Sequence, residues 1–201
     1  MTVAVDGVDL ARVKAVALGA SFGGVEALMA VLPGLRPTAG VPLLLVLHQP
    51  RERPSLLAEI LGPRCQVPVS EAQDKEPVEA GHVYVAPPDY HLLVDRGPGG
   101  GAQLALSVDD LVNFSRPAID VLFESAAQHW GPGLLALLLT GASADGAAGL
   151  QAVRRAGGQA VVQDPEEARA PVMPRAALAA GAVEAVLPLQ KIERLLAMLE
   201  S

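Results

Sequence analysis

Residues 15–34 read AVALGASFGGVEALMAVLPG, and the change of period inside this stretch decides the fold class. Val13 to Leu18 is a short apolar run that ends at Gly19. From Gly24 onward, Val25, Leu28, Met29 and Leu32 fall at i, i+3, i+4 and i+7, which is one face of a helix. Pro33-Gly34 stops it. A strand, a glycine-rich turn and a helix in immediate succession are the opening of a βαβ unit.

The same alternation continues along the chain. Val41 to Leu47 (VPLLLVL) is a continuous apolar run, expected of a strand buried on both faces of a parallel sheet. A second helix is expected after Pro54, with Leu56, Leu57, Ile60 and Leu61 on its apolar face and Gly62-Pro63 as its stop. Gln66 to Ala80 is polar and irregular. Val83 to Ala86 reads as a strand. Leu92–Val94 and Leu104–Leu106 flank Gly97-Pro98-Gly99-Gly100-Gly101 and predict an antiparallel hairpin with a flexible tip.

In the second half, Ser115 and Pro117 open a helix whose apolar face is Ile119, Leu122, Phe123, Ala126 and Trp130. Leu134 to Leu139 is another fully apolar strand, and a small-residue loop from Thr140 to Gly146 leads into a helix stopped by Gly157-Gly158. Gln159 to Val162 is a strand, and Asp164-Pro165 reads as the opening of a helical segment. Pro174 to Gly181 is helical, Val183 to Leu187 a strand, and Ile192, Leu195, Leu196 and Leu199 line a terminal helix. The expected fold is α/β: a doubly wound, mostly parallel sheet flanked by helices, with an antiparallel β-hairpin insertion. No linker divides it, so residues 1–201 are expected to form one domain.

Composition narrows the function. Hydrophobic residues make up 51% and charged residues 18%, too apolar for a disordered chain. Net charge is −7, with no basic stripe for phosphates, which argues against nucleic-acid binding. No apolar run approaches the ~20 residues needed to cross a bilayer. The acidic start, with Asp6 and Asp9, is unlike a secretory signal, and the single cysteine, Cys65, fits a reducing compartment. A cytoplasmic protein without membrane insertion is expected. No clustered histidine and carboxylate spacing supports a metal site, and no cofactor motif is present.

Ligands of an open parallel sheet bind at the carboxyl ends of its strands. Ser21 follows the first strand, His48 the second, and Asp145 lies in the loop after the Leu134–Leu139 strand. A serine, a histidine and an aspartate on one sheet edge are the parts of an acyl-transfer triad. Gly19-Ala20-Ser21-Phe22-Gly23 fits G-x-S-x-G, a strand–turn–helix elbow that presents a serine beside free backbone N–H groups. The same residues also suit a helix cap or a phosphate cradle. Asp145 has a competitor in Asp164, which also follows a strand but reads as a helix N-cap. His82, His91 and His129 read as structural, and Cys65 lacks a helix N-terminus to activate it.

Three of these segments, GASFGG at 19–24, His48-Gln49-Pro50 and TGASADGAAGL at 140–150, resemble the motifs of the chemoreceptor protein-glutamate methylesterases, the CheB family. Val85-Ala86-Pro87 with His91-Leu92, Arg116-Pro117 with Asp120 to Phe123, Asp164-Pro165, and Met173-Pro174 extend the likeness, in order, over nearly the whole chain. The resemblance implies a doubly wound catalytic domain with Ser21, His48 and Asp145 as the triad and the backbone N–H groups of Phe22 and Ala142 as oxyanion donors. It places Arg116 and Met173 as substrate-binding candidates. It implies hydrolysis of glutamate γ-methyl esters on methyl-accepting chemotaxis receptors, with deamidation of receptor glutamines by the same route. Members often carry an N-terminal receiver domain, which this chain is expected to lack. Phe22, Ala142 and Ser143 stand where the family commonly has a small residue or threonine, a methionine and a glycine. Those departures, with the missing receiver, keep a non-catalytic receptor-binding adaptor in play beside the hydrolase, and a triad by itself leaves room for another ester or amide.

Overall fold

The computed structural model describes residues 4–199. A small antiparallel ribbon, β1 (Ala4–Val5) with β2 (Val8–Asp9), precedes the first core strand, β3 (Ala15–Ala20). The chain then runs through α1 (Gly24–Val31), β4 (Leu43–Leu47), α2 (Leu57–Leu61), β5 (Val69–Glu71) and β6 (Val83–Val85). A hairpin of β7 (His91–Arg96) and β8 (Ala102–Ser107) follows. The second half is α3 (Ile119–Trp130), β9 (Leu134–Leu138), α4 (Ala147–Arg155), β10 (Gln159–Gln163), α5 (Val172–Ala179), β11 (Ala185–Leu187) and α6 (Leu189–Ala197).

Seven strands form one sheet in the order β11-β10-β9-β3-β4-β6-β5, with every pairing parallel. Helices cover both faces, as a doubly wound fold requires, and the β7–β8 hairpin stands as a separate two-stranded sheet. The order reverses at β3: the chain builds outward through β4 and beyond, then returns to place β9 on β3's other side. That reversal leaves a crevice above the carboxyl ends of β3, β4 and β9.

Strand residues alternate between two cores. Val16, Leu18, Leu43, Leu45, Leu135 and Leu137 face α1 and α6; Ala15, Ala17, Leu44, Val46, Ala136 and Leu138 face α3 and α4. The second face of β3 carries only Ala15, Ala17 and Gly19, so α3 lies close upon it. A Cβ on Gly19 would collide with the Ile119 side chain. This close approach delivers the N-terminus of α3 to the crevice.

Several expectations need correction. The buried face of α1 is Gly24, Ala27, Leu28 and Val31, with Val25 and Met29 only half-buried. α2 is five residues long and leaves Leu56 and Ile60 exposed, because only Leu57 and Leu61 reach the core. The polar stretch 66–80 contains β5, an edge strand too short to show a period. Asp164-Pro165 opens a turn, not a helix: the Asp164 carboxylate accepts the Glu166 N–H at 2.9 Å, and helix begins only at Val172. No described helix is long and apolar enough to cross a membrane.

Candidate active site

Parallel register brings the first two candidates together. Ala20 pairs with Leu47, and the His48 N–H donates to the Ala20 carbonyl at 3.1 Å. Ser21 and His48 are thus the first residues beyond neighbouring strands, about 4.8 Å apart in the hydrogen-bonding direction. On the other side, the Ser21 N–H donates to the Thr140 carbonyl at 2.9 Å. Ser21 is half-buried, and its hydroxyl makes no hydrogen bond among the described residues.

Asp145 reaches the same point from the loop after β9. His48 Nε2 lies 2.7 Å from Asp145 Oδ2, with the histidine side chain 14% exposed and the aspartate wholly buried. A carboxylate only accepts, so Nε2 carries the proton. Nδ1 then holds the lone pair, and it has no partner among the described residues. This is the reverse of the familiar triad arrangement, in which the aspartate takes Nδ1.

Five donors converge on the Asp145 carboxylate. Oδ2 accepts from His48 and from the Ile119 N–H at 2.6 Å. Oδ1 accepts the N–H groups of Asp120 and Gly146 and the Asn113 side-chain amide, each at 3.0 Å. Ile119 and Asp120 begin α3, so Asp145 caps that helix from 25 residues away in sequence and sits at the positive end of its dipole. Burial pushes the Asp145 carboxyl up, but these hydrogen bonds outweigh it and hold the group below the ordinary aspartate range.

Asp120 returns the arrangement. Its buried Oδ1 accepts the Gly146 N–H at 2.9 Å and the Gly149 N–H at 2.6 Å, at the start of α4. The two helices exchange carboxylates at their N-termini. The Asn113 amide bridges the pair, donating also to Asp120 Oδ2 at 2.8 Å. Burial raises the Asp120 carboxyl, the Gly149 bond opposes the rise, and the Asp145 charge adds to it. Asn113 takes a left-handed backbone (φ 50°) to make these contacts. No spacing in the sequence pointed to Asn113, and Asp120 appeared only as part of a motif.

The N–H groups of Phe22 and Ala142 donate to no partner among the described residues. Phe22 itself is 58% exposed. The Arg169 guanidinium lies 5.2 Å from its ring centroid and pairs with Glu26 at 2.8 Å. Ser143 turns its hydroxyl inward to accept the Asp145 N–H at 3.3 Å.

The two substrate-binding candidates have internal work. Arg116 donates to Asp89 Oδ1 through Nε and Nη2, at 3.1 and 2.8 Å, and through Nη1 to the carbonyls of Val108 and Asp109. It staples the loop that carries Asn113, while still lining a recess of about 220 Å³ with His48 and Phe114. Met173 is wholly buried, and its thioether occupies the space a Cβ on Gly141 would need. It supports the Gly141 turn. A second recess, about 280 Å³, runs from Ser21 and His48 to Leu56 and Ile60. Asp164, the competitor of Asp145, is engaged in its own turn. Among the described residues no three His, Cys, Asp or Glu side chains converge as metal ligands.

Residues 16–196 match the family described as CheB methylesterase. The chain belongs to the CheB methylesterase family. A relative from Leptospira interrogans is 41% identical over 187 residues, which cover 93% of this chain and 95% of the relative. A Yersinia pestis protein named protein-glutamate methylesterase/protein-glutamine glutaminase is 42% identical over 193 residues, covering 96% of this chain and 55% of that protein. The crystal structure of the Thermotoga maritima CheB methylesterase catalytic domain superposes with a TM-score of 0.88 at 33% identity, over 92% of this chain and 97% of that one. That likeness agrees with the doubly wound sheet and shows that the fold is that of a CheB catalytic domain.

Proposed function

We propose that this CheB-family chain is a cytoplasmic serine hydrolase that demethylates glutamate γ-methyl esters on methyl-accepting chemotaxis receptors and deamidates particular receptor glutamines. In this reading residues 1–201 act as one catalytic domain. Ser21 Oγ attacks the ester carbonyl while His48 Nδ1 takes its proton. Asp145 holds the ring by Nε2 and stabilises the imidazolium. The Phe22 and Ala142 N–H groups receive the oxyanion. His48 returns the proton to departing methanol, or to ammonia from an amide. Water, deprotonated by the same nitrogen, then releases the glutamate and regenerates Ser21.

The observation that carries this reading is the 2.7 Å bond between His48 and a fully buried, five-donor Asp145, with the Ser21 hydroxyl, unpaired among the described residues, one strand away. A carboxylate wired this way costs the fold a buried charge, which a purely structural histidine does not require. The Yersinia relative's name supplies the substrate class.

The test is methanol release from receptors carrying radiolabelled methyl esters. Release that disappears in Ser21→Ala supports the reading, and an inert wild-type protein overturns it. Stoichiometric, His48-dependent labelling of Ser21 by a fluorophosphonate, without methanol release, would keep the nucleophile and remove the receptor ester as substrate.

A further inference from the structure

Thr140 has no role in the steps above, yet all its polar groups are engaged, and its carbonyl and hydroxyl both bond the elbow that carries the Phe22 N–H. It is 2% exposed, at the junction of β9 and the 141–146 loop. Its N–H donates to the buried Gln163 Oε1 at 2.8 Å. Its carbonyl accepts the Ser21 N–H at 2.9 Å. Its hydroxyl donates to the Phe22 carbonyl at 2.9 Å and accepts the Ala170 N–H at 2.9 Å. The Ala170 carbonyl, 3.3 Å from the same hydroxyl, instead takes the Gly141 N–H at 3.0 Å.

The Thr140 hydroxyl is one of several anchors that fix the elbow's backbone. The Ser21 N–H goes to Thr140, the Ser21 carbonyl accepts Gly24 at 2.7 Å, and the Phe22 carbonyl goes to the Thr140 hydroxyl. The peptide unit that contains the free Phe22 N–H lies between these anchors. On the opposing segment, Gly141 is held through its N–H by Ala170 and through its carbonyl by Met173 at 3.0 Å, which leaves the next residue, Ala142, with its N–H free. Ala170 is the shared link: one of its backbone groups binds the Thr140 hydroxyl and the other binds Gly141.

We infer that Thr140 is a positioning residue whose hydroxyl, acting with the Ala170 backbone, sets the separation of the Phe22 and Ala142 N–H groups. This inference rests on the acyl-enzyme reading and deepens it. Thr140 does not touch the reacting atoms. One hydroxyl both donates and accepts here, which serine can reproduce and valine, of nearly the same shape, cannot. Oxyanion donors act only when already aimed at the place where charge develops, so loss of their spacing lowers kcat and leaves KM.

The experiment compares wild type, Thr140→Val and Thr140→Ser in hydrolysis of the methylated receptor, with amide NMR spectra of each. The expected result is a fall in kcat of about 10²-fold for Thr140→Val with KM within about threefold, and near-wild-type kcat for Thr140→Ser. The Phe22 and Ala142 amide resonances should shift together in the valine variant only. Undiminished kcat in a folded Thr140→Val protein, a loss confined to KM, or a serine variant as impaired as the valine one would overturn the inference. If the valine variant does not fold, Thr140→Ala replaces it, with a loss of more than about tenfold expected. A wild-type protein with no Ser21-dependent turnover sinks the acyl-enzyme reading and the inference with it; an active wild type beside an undiminished valine variant sinks the inference alone.

Discussion

The base side and the nucleophile side of the proposed site are built on opposite rules. On the base side, Asp145 is buried and takes five hydrogen bonds from residues on α3, the Asn113 loop, the turn into α4 and β4's end. On the nucleophile side, the Ser21 hydroxyl and the N–H groups of Phe22 and Ala142 have no partner among the described residues, and Phe22 stands out in solvent. A buried charge is stable only when its hydrogen bonds are made. A group that must engage a passing carbonyl has to be left unmade. Damage on the nucleophile side should therefore harm chemistry alone, and damage on the base side should harm chemistry and stability together.

The largest effect tests the first half of that contrast. Ser21→Ala should lower kcat by at least about 10⁴-fold while changing unfolding free energy by less than about 0.5 kcal/mol, read from urea denaturation. A large stability loss would show that the hydroxyl supports the fold after all.

Asp145→Asn tests the second half. It should lower kcat by about 10³- to 10⁴-fold and also cost about 1–3 kcal/mol of stability, because an amide nitrogen meets donors that need an acceptor. Its pH signature has a definite sign. The folded-state pKa of Asp145 lies below its unfolded value of about 3.9, so the carboxylate contributes stability above about pH 4 and loses it as pH falls through the folded value. The asparagine variant lacks this component, and its stability should change less steeply over that window. An unchanged slope would break the contrast.

Gly141→Ala sharpens the comparison at the border between the sides. The new Cβ would strike the Met173 thioether and come within 2.9 Å of the Ser21 Cβ. A loss of kcat of about 10²-fold is expected, with partial recovery when Met173→Ala makes room, measured by steady-state kinetics of the double variant.

The smallest effect belongs to the rim. Arg169 and Glu26 are about 60% exposed, and such pairs contribute little. Arg169→Ala should change stability by less than about 1 kcal/mol in thermal or urea unfolding. A larger loss would mean that the arginine's packing over Gly23 and Phe22 holds the elbow.

The sheet, the order of its elements and the hairpin were legible along the chain, because residues buried on both faces must be apolar in unbroken runs and helices must show a 3.6 period. Ser21 and His48 were legible as polar residues directly beyond such runs, and Asp145 as the acid of the small-residue loop that follows one. The failures have physical reasons as well. β5 has three residues, too few for a pattern. Asp164-Pro165 carries the local signals of a helix start, but its aspartate satisfies a single turn and helix begins eight residues later. Ser115 and Pro117 looked like the start of α3, whereas the cap arrives from Asp145.

Local composition thus determined where most of the strands and helices run and which residues crown the core strands, since hydrophobic period and turn chemistry act over a few neighbours. Only the folded chain decided what those crowning residues hold. The exchange of carboxylates between α3 and α4, the bridging by Asn113 and the clasp of Thr140 on Phe22 join residues 7 to 118 positions apart. Hydrogen-bond partners at that separation are set by close packing of helix on sheet, and the small face of Ala15, Ala17 and Gly19 is what lets α3 come near enough to make them.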